Sequence, residues 1–122
     1  MSTTGNRVYL FRGDTYDAEI TVYDEDDVVE SIVGALIIWT LRKSIDNENI
    51  TLQKKNIAAG GGADEIEDYD LGNGKFRLHI LPADTISLDP GEYIYDIQLT
   101  TSGGKVYTII TDRLFIKPDV TR

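Results

Sequence analysis

The chain has 122 residues, of which 41% are hydrophobic, and this is the size and composition of one globular domain. It contains no cysteine, which excludes disulfides and thiolate metal sites. Twelve basic against 21 acidic residues give a formal charge of −9, which opposes nucleic-acid binding by phosphate neutralisation. No apolar run approaches the roughly 20 residues of a membrane-spanning helix. We therefore expect neither a nucleic-acid nor a membrane partner.

The chain divides into three parts by composition. Residues 1–6 form a polar segment without the basic and apolar regions of a secretory signal, and we predict a flexible N-terminal arm. Residues 7–117 contain every predicted strand and no internal repeat, so they form a single β-domain. Residues 118–122 are predicted to be a C-terminal tail. Both polar ends are candidates for docking arms that order on assembly.

Alternation of apolar and polar side chains is the dominant pattern, and it is typical of half-buried strands. The clearest alternating segments are 16–23, 76–80 and 93–99. The nearly continuous apolar run at 35–43 predicts a central strand, with Ile37, Trp39 and Leu41 facing inward. These segments predict antiparallel pairing around a common core.

Three further segments complete the predicted strands. Residues 7–11 are a first strand, and 51–55 are a short edge strand whose Lys54 and Lys55 discourage pairing with other chains. The long segment 105–117 carries Asp112 in its middle. We predict a β-bulge or bend near 111–113 that keeps both halves paired.

Turn residues separate these strands at short intervals. Asn73-Gly74 suits a tight hairpin, and Ser102-Gly103-Gly104 separates the last two strands. Pro82 at a first helical position predicts one short helical turn near 82–88. The sequence therefore predicts an all-β, antiparallel β-sandwich of seven to eight strands with at most that one helical turn.

Two acidic clusters are the candidates for a metal site. Calcium takes six to eight oxygen ligands, and clustered carboxylates supply them. The candidate ligands are Asp24, Asp26, Asp27, Asp68 and Asp70. The first cluster lacks the glycine and the final glutamate of an EF-hand loop. We favour solvated turns, predict no cofactor, and keep Ca²⁺ as the alternative.

No arrangement of residues predicts catalysis. His79 is the only histidine and lies on the polar face of its strand, and no Gly-x-Ser-x-Gly motif presents a nucleophile to it. We interpret it as an exposed strand histidine and predict no catalytic residue. Arg12-Gly13-Asp14 is interpreted as a turn rather than an adhesion motif.

Aromatic residues supply the first candidates for an interface. Trp39, Tyr93 and Tyr95 are assigned to the core, with the tyrosine hydroxyls at its rim. Outward tyrosines are good interface anchors, and Tyr23 and Tyr107 are the two candidates. The polar C-terminal end adds Lys117, Asp119 and Arg122.

Several segments carry a family resemblance in their order along the chain. They are Leu10-Phe11-Arg12-Gly13-Asp14, the stretch 38–44, Gly74–Leu78, Leu81–Thr85, Pro90-Gly91-Glu92-Tyr93-Ile94-Tyr95-Asp96-Ile97-Gln98 and the closing stretch 114–122. This order resembles small tailed-phage virion proteins of the immunoglobulin-like β-sandwich type. It is similar to the N-terminal domain of phage baseplate upper proteins. The resemblance extends from Tyr9 to Arg122.

The resemblance implies an immunoglobulin-like sandwich that serves as a non-enzymatic structural protein of a bacteriophage virion. It would be made in the host cytoplasm and dock within the tail, baseplate or fibre-attachment region. Its partners would be other virion proteins, in a symmetric homo-oligomer or in multiple copies on the particle. Two alternatives remain, which are a capsid decoration protein and a calcium- or carbohydrate-binding sandwich module.

Overall fold

The computed structural model describes residues 1–3, 7–44, 49–62 and 64–118. Nine strands in these residues form two sheets. The strands are β1 Ser2–Thr3, β2 Val8–Phe11, β3 Tyr16–Tyr23, β4 Leu36–Arg42, β5 Leu52–Lys55, β6 Ile66–Asp70, β7 Lys75–Ile80, β8 Gly91–Thr100 and β9 Val106–Lys117. One short helix, α1, spans Pro82–Thr85, and 3-10 turns span Ile57–Ala59 and Leu71–Asn73.

The strand order defines the fold. One sheet has the order β1-β3-β7-β6, and the other has the order β2-β9-β8-β4-β5. With β1, β3, β7 and β6 as strands A, B, E and D, and β9, β8 and β4 as G, F and C, this is the immunoglobulin arrangement. Strand β5 takes the place of the strand that variable-type domains add beside strand C. The predicted immunoglobulin-like β-sandwich is confirmed.

Two strands and one pairing differ from the predicted pattern. Ser2–Thr3, assigned to the flexible arm, pairs with Tyr23 and Val22, so this part of the arm belongs to a sheet. Ile66–Asp70, read only as an acidic cluster, pairs with β7. The remaining pairs are antiparallel, but β2 runs parallel to β9. The sequence did not predict β1, because two residues are too few to show alternation. It did not predict β6, because its acidic residues mask the alternation of apolar and polar side chains.

The core lies between the sheets and is built from alternate residues of each strand. Ile37, Trp39 and Leu41 are at most 1% exposed, which confirms their predicted inward face. The rings of Trp39 and Tyr95 lie 6.0 Å apart between their centroids, at an interplanar angle of 31°. Large side chains of the central strands therefore fill the middle of the sandwich.

The β-bulge of β9 lies closer to the start of the strand than predicted. Ile97 pairs with Ile110 and Gln98 with Thr108, so Ile109 is the extra residue. The predicted position near 111–113 is wrong, because Asp112 lies in regular register opposite Tyr95. Neighbouring residues in a regular strand face opposite sides, and the bulge lets Ile109 and Ile110 both contribute to the core.

The turns follow the predicted positions with one change of type. Asn73-Gly74 does not form a two-residue hairpin, because Leu71–Asn73 is a 3-10 turn that Gly74 ends in the left-handed conformation at φ 70°. A Cβ atom on Gly74 would come within 2.4 Å of the Glu30 carbonyl oxygen, so only glycine fits. Helix α1 confirms the helical turn predicted near 82–88.

Asn56 is a fully buried amide that connects the two sheets. Its Oδ1 accepts hydrogen bonds from the N–H groups of Ile37 and Ala59, both at 3.1 Å. Its Nδ2 donates to the Ala35 carbonyl at 2.9 Å and to the Asp68 carboxylate at 3.1 Å. Because a buried amide is costly unless its donors and acceptor are satisfied, this network fixes the approach of β6 to β4.

Lys54 corrects the prediction made for the edge strand. It is only 4% exposed, because it lies opposite inward-facing Trp39 on the neighbouring strand. Its Nζ lies 2.6 Å from Oδ2 of Asp84 in α1. The Thr85 hydroxyl oxygen also accepts the Gly13 N–H at 2.9 Å, within the turn at 12–14. Helix α1 is thus bonded to β5 and to the turn after β2, and these two strands are the edges of the larger sheet. Of the two lysines, only Lys55 is placed to discourage pairing of β5 with other chains.

We expect Lys54→Ala to lower the free energy of unfolding by about 3 kcal/mol, because it leaves the largely buried Asp84 carboxylate without its cation. Lys55→Ala is the matched control on the next residue, and we expect a change within about 0.5 kcal/mol. Urea denaturation of both variants measures the difference. Equal stabilities of the two variants would show that the buried ion pair has no structural role.

Candidate functional site

Aromatic side chains are exposed on the outward face of the β2–β9 pair. Leu10 and Ile116 face the core, so the residues on either side of them face outward. The outward group consists of exposed Tyr9, Phe11 and Lys117 and half-buried Phe115, and we call it the aromatic patch. Tyr9 is 54% exposed and Phe11 is 42% exposed. Large aromatic rings clustered on the surface are typical of an interaction site.

The side chains of the aromatic patch are already in contact with one another. The parallel register places Tyr9 opposite Phe115 and Phe11 opposite Lys117. The rings of Tyr9 and Phe115 are stacked, with centroids 4.9 Å apart and an interplanar angle of 8°. The Lys117 ammonium lies 5.5 Å from the Tyr9 ring and 5.8 Å from the Phe11 ring. This order reduces the conformational entropy that a binding partner must overcome.

Charged residues surround the apolar rings. Glu92 lies opposite Phe115 on β8, and its carboxylate is 3.1 Å from the Arg113 guanidinium. Further along the same face, Arg42 lies 3.1 Å from Asp96. Burial raises the pKa of Asp96, while Arg42 acts in the opposite direction. An apolar centre with a charged rim is the usual composition of a protein–protein interface.

A corner at the start of β8 borders the aromatic patch. The Tyr93 hydroxyl donates a 2.6 Å hydrogen bond to the Asp89 carbonyl. The same bond in immunoglobulin sandwiches is the tyrosine corner, which in antibody domains lies two residues before the second disulfide cysteine. Tyr95 occupies that position, and burial raises its pKa to about 12. The corner holds Pro90 and Glu92 beside Phe115, where they line a shallow groove.

The predicted interface residues do not form one surface. Lys117 belongs to the aromatic patch, whereas Tyr107 is 36% exposed at the opposite end of β9. Tyr23 is half-buried, and its backbone pairs with Ser2 and Val29. The two remaining candidates, Asp119 and Arg122, lie outside the described residues.

Three members of the aromatic patch were missed by the sequence analysis. Alternation around Leu10 and Ile116 places Tyr9, Phe11 and Phe115 outward, so the exposure of each residue was predictable. Their proximity was not predictable, because it depends on the parallel pairing of β2 with β9. Sequence periodicity describes one strand and does not identify its neighbour.

The acidic residues of the first cluster stabilise a turn. Oδ1 of Asp24 accepts the N–H groups of Asp26 at 2.8 Å and Val28 at 3.0 Å. Asp27 adopts a positive φ of 59°, which aspartate tolerates in turns. This is the arrangement of an Asx turn, and it gives the Asp24 carboxylate a structural role.

The second acidic cluster does not converge on one point. Asp68 accepts a hydrogen bond from Asn56, and Asp70 accepts one from Asn73 at 2.9 Å. Among residues 1–3, 7–44, 49–62 and 64–118, no three acidic or histidine side chains are grouped to hold a metal ion. Asp24, Asp68 and Asp70 therefore make turn and network contacts within the chain.

His79 links three strands of the smaller sheet. Its Nδ1 lies 2.6 Å from the Asp17 carboxylate on β3, and its Nε2 lies 3.0 Å from Glu67 on β6. The hydrogen bond with Asp17 is the main cause that raises the pKa of His79, and Glu67 adds to it. The predicted strand histidine is thus partly exposed and held between two carboxylates. A single sequence does not reveal which acids lie opposite it.

Comparisons with known proteins identify similar folds at low sequence identity. No family model matches the chain, and no curated protein matches it. CopC from Methylosinus trichosporium OB3b has a TM-score of 0.51 and 8% identity, over 99% of this chain and 97% of that chain. The R347E mutant of the SrpA adhesin from Streptococcus sanguinis has a TM-score of 0.50 and 13% identity, over 96% of this chain. Murine CRIg has a TM-score of 0.42 and 11% identity, over 98% of both chains.

These similarities concern the fold alone. The chain spans 58% of the SrpA structure, so it matches a part of that protein. Identities of 8 to 13% do not carry a ligand or a partner from one protein to another. In the described part of the chain, no helix has both the length and the apolar character needed to cross a membrane. The function must therefore be argued from the surface itself.

We expect Tyr93→Phe to lower the free energy of unfolding by about 1 kcal/mol, because the Asp89 carbonyl loses its hydrogen-bond donor. Tyr107→Phe removes the hydroxyl of a more exposed tyrosine and should leave stability unchanged. Thermal and urea denaturation of the two variants test this difference. A Tyr93→Phe variant with the same free energy of unfolding as the wild type would contradict a structural role for the corner.

His79 should stabilise the protein most strongly at acidic pH. Its pKa is raised in the folded state, so its contribution is fully present below the ordinary value of 6.5 and is lost as pH rises through the folded value. We expect His79→Gln to be less stable than the wild type at pH 5.5, with the difference narrowing by pH 8.5. Denaturation over this range is the measurement, and a constant difference would contradict the assignment.

Proposed function

We propose that the protein is a non-enzymatic docking module, and that it serves as a structural component of a tailed-phage virion. In this proposal the aromatic patch binds another virion protein. The observation that carries the docking role is the stacked pair of exposed Tyr9 and half-buried Phe115 on the outward face of the sheet. The virion assignment is supported by the sequence resemblance alone, because the similar solved structures are of other proteins.

The physical properties of the aromatic patch favour protein binding. Aromatic rings provide large contact areas and lose few rotamers on burial. Lys117 adds a cation in a chain of net charge −9, so the patch is locally less acidic than the whole surface. An acidic or aromatic partner surface would therefore be attracted to this face of the sandwich.

The C-terminal tail supports a combined docking surface. Strand β9 ends at Lys117, within the aromatic patch, and Pro118 lines the groove beside it. The chain therefore leaves the domain at the proposed interface. The tail beyond residue 118 lies outside the described residues, and its role as a docking arm stays a prediction.

Within the virion, the tail, baseplate or fibre-attachment region is the proposed location. The order of segments that resembles baseplate upper proteins favours it over a capsid decoration role, which uses the same docking chemistry. A calcium- or carbohydrate-binding role has less support. Three of the five candidate ligands, Asp24, Asp68 and Asp70, already accept hydrogen bonds within turns and the Asn56 network.

The proposed function predicts that the protein is part of purified phage particles. Mass spectrometry of particles from cells that carry this gene should detect it at a fixed ratio to the major virion proteins. Immunogold labelling should place it at the tail, or at the head in the decoration alternative. Absence from purified particles would overturn the virion proposal.

The aromatic patch is tested in the same particles. A Tyr9→Ala/Phe115→Ala double variant should remain folded, since Tyr9 is largely exposed, but should be lost from the particles. We expect a loss of at least tenfold in occupancy, because aromatic anchors of an interface each contribute about 1–2 kcal/mol or more. Tyr107→Ala, at the other end of β9, is the matched control and should be retained. Equal retention of both variants would contradict docking through the patch.

A further inference from the structure

The edges of the two sheets differ in how they are protected. In the described residues, β1 and β6 are the edges of one sheet, and β2 and β5 are the edges of the other. Exposed edge strands pair with other chains unless they are short, charged or irregular. Strand β1 has two residues, β6 carries acidic residues and a register shift, and β5 carries Lys55. Each of these three edges has a feature that opposes pairing.

Strand β2 is as short as β5, with four residues, but it has neither a charge nor an irregularity. Its four residues, Val8–Phe11, are apolar or aromatic and include neither a charge nor a proline. It pairs with β9 on one side, and no other strand of the described chain pairs with its second side. The strand that lacks protection also carries Tyr9 and Phe11 of the aromatic patch. A free edge and an exposed aromatic face on one strand are typical of strand addition.

We propose that β2 pairs with β2 of a second copy of this chain, antiparallel and about a two-fold axis at Leu10. The two larger sheets then form one continuous sheet across the dimer. This inference deepens the proposed function and rests on it, since it assigns part of the docking surface to self-assembly. A two-fold interface requires a self-complementary surface, and the pattern of β2 provides one.

The register at Leu10 is compatible with the faces of the strand and centres the contact on the aromatic residues. Residues opposite each other in an antiparallel pair must lie on the same face. Leu10 faces inward and therefore lies opposite Leu10 of the second copy, which continues the core. Tyr9 lies opposite Phe11 of the second copy, and this brings aromatic rings from both copies into one row. Cross-strand aromatic pairs each stabilise a sheet by about 0.2–1 kcal/mol.

The symmetry of the dimer favours the antiparallel orientation. A two-fold axis perpendicular to the sheet places the start of one strand near the end of the other. It also keeps the inward faces of both copies on the same side of the continuous sheet. A parallel pair would need a two-fold axis along the strands, which would turn the inward face of one copy outward.

The dimer is weak in dilute solution. A stable dimer buries at least about 1,200 Å² in total, and two four-residue strands with their aromatic neighbours supply less. The net charge of −9 on each copy adds repulsion, which salt screens. Multiple copies held on a particle raise the local concentration, so an interaction that is weak in solution becomes occupied there.

Sedimentation of the full chain tests the association. Between 10 µM and 1 mM we expect the mean mass to rise towards that of a dimer, and more so at higher salt. Tyr9→Lys places a charge on the free edge, and it should raise the chain concentration at which half of the molecules are dimeric by at least tenfold. Val106→Lys, at the 60% exposed start of β9 and opposite the end that carries Lys117, should leave this concentration unchanged. A monomer at every concentration and salt condition overturns the proposal.

The absence of cysteine from the chain allows a direct test of the register. A mixture of Tyr9→Cys and Phe11→Cys chains should form a mixed disulfide under mild oxidation, because opposite residues lie about 4.5–5.5 Å apart. Each variant alone should cross-link several-fold less, since residue 9 lies diagonally from residue 9 of the second copy. Val106→Cys is the control for random collisions. Equal cross-linking in all samples contradicts the register and the two-fold axis at Leu10.

The outcomes separate this inference from the proposed function. A protein that is present in particles but monomeric and uncross-linked refutes the β2 dimer and leaves the virion role intact. A dimer with the expected register that is absent from particles refutes the virion role and retains the interface. A strand supplied by a different protein gives no cross-link between copies and therefore also refutes the dimer.

Discussion

The two sheets must be held together without a covalent link, because the chain has no cysteine. The fold depends on buried polar contacts at the margins of the apolar core. Asn56 makes four hydrogen bonds, and those with Ile37 and Asp68 join β4 to β6. The Lys54–Asp84 ion pair joins β5 to α1. These contacts fix how the sheets face each other. The outward side chains of β2 and β9 then take defined positions on a rigid support.

At the centre of the sandwich, aromatic packing occupies the place where antibody domains have a disulfide between the sheets. Tyr95 occupies the position two residues after the corner tyrosine, and its ring packs near Trp39. A cavity of about 150 Å³ remains between the sheets, lined in part by Ala18 and Tyr16. Packing is therefore less complete here than around Ile37 and Leu41, which are fully buried. The immunoglobulin arrangement persists because its core positions tolerate different side chains of suitable volume.

Local patterns predicted the fold class, and long-range contacts set the limit of that prediction. Alternation identified β3, β7 and β8 and the inward face of β4, because burial of one face imposes a period of two. It could not pair Tyr9 with Phe115, and it could not place Asp17 and Glu67 beside His79. Lys54 was misassigned for the same reason, since its partner Asp84 lies on a different element. The candidate site was therefore predicted only at Lys117.

The parallel pairing of β2 with β9 has a consequence for biosynthesis. Tyr9 and Phe115 are more than a hundred positions apart, so the stacked pair forms only after Phe115 has left the ribosome. Such non-local contacts also form late in folding. An incomplete or prematurely terminated chain cannot present the stacked pair. The stacked pair therefore marks chains that have been synthesised through β9 and have folded over their full sequence separation.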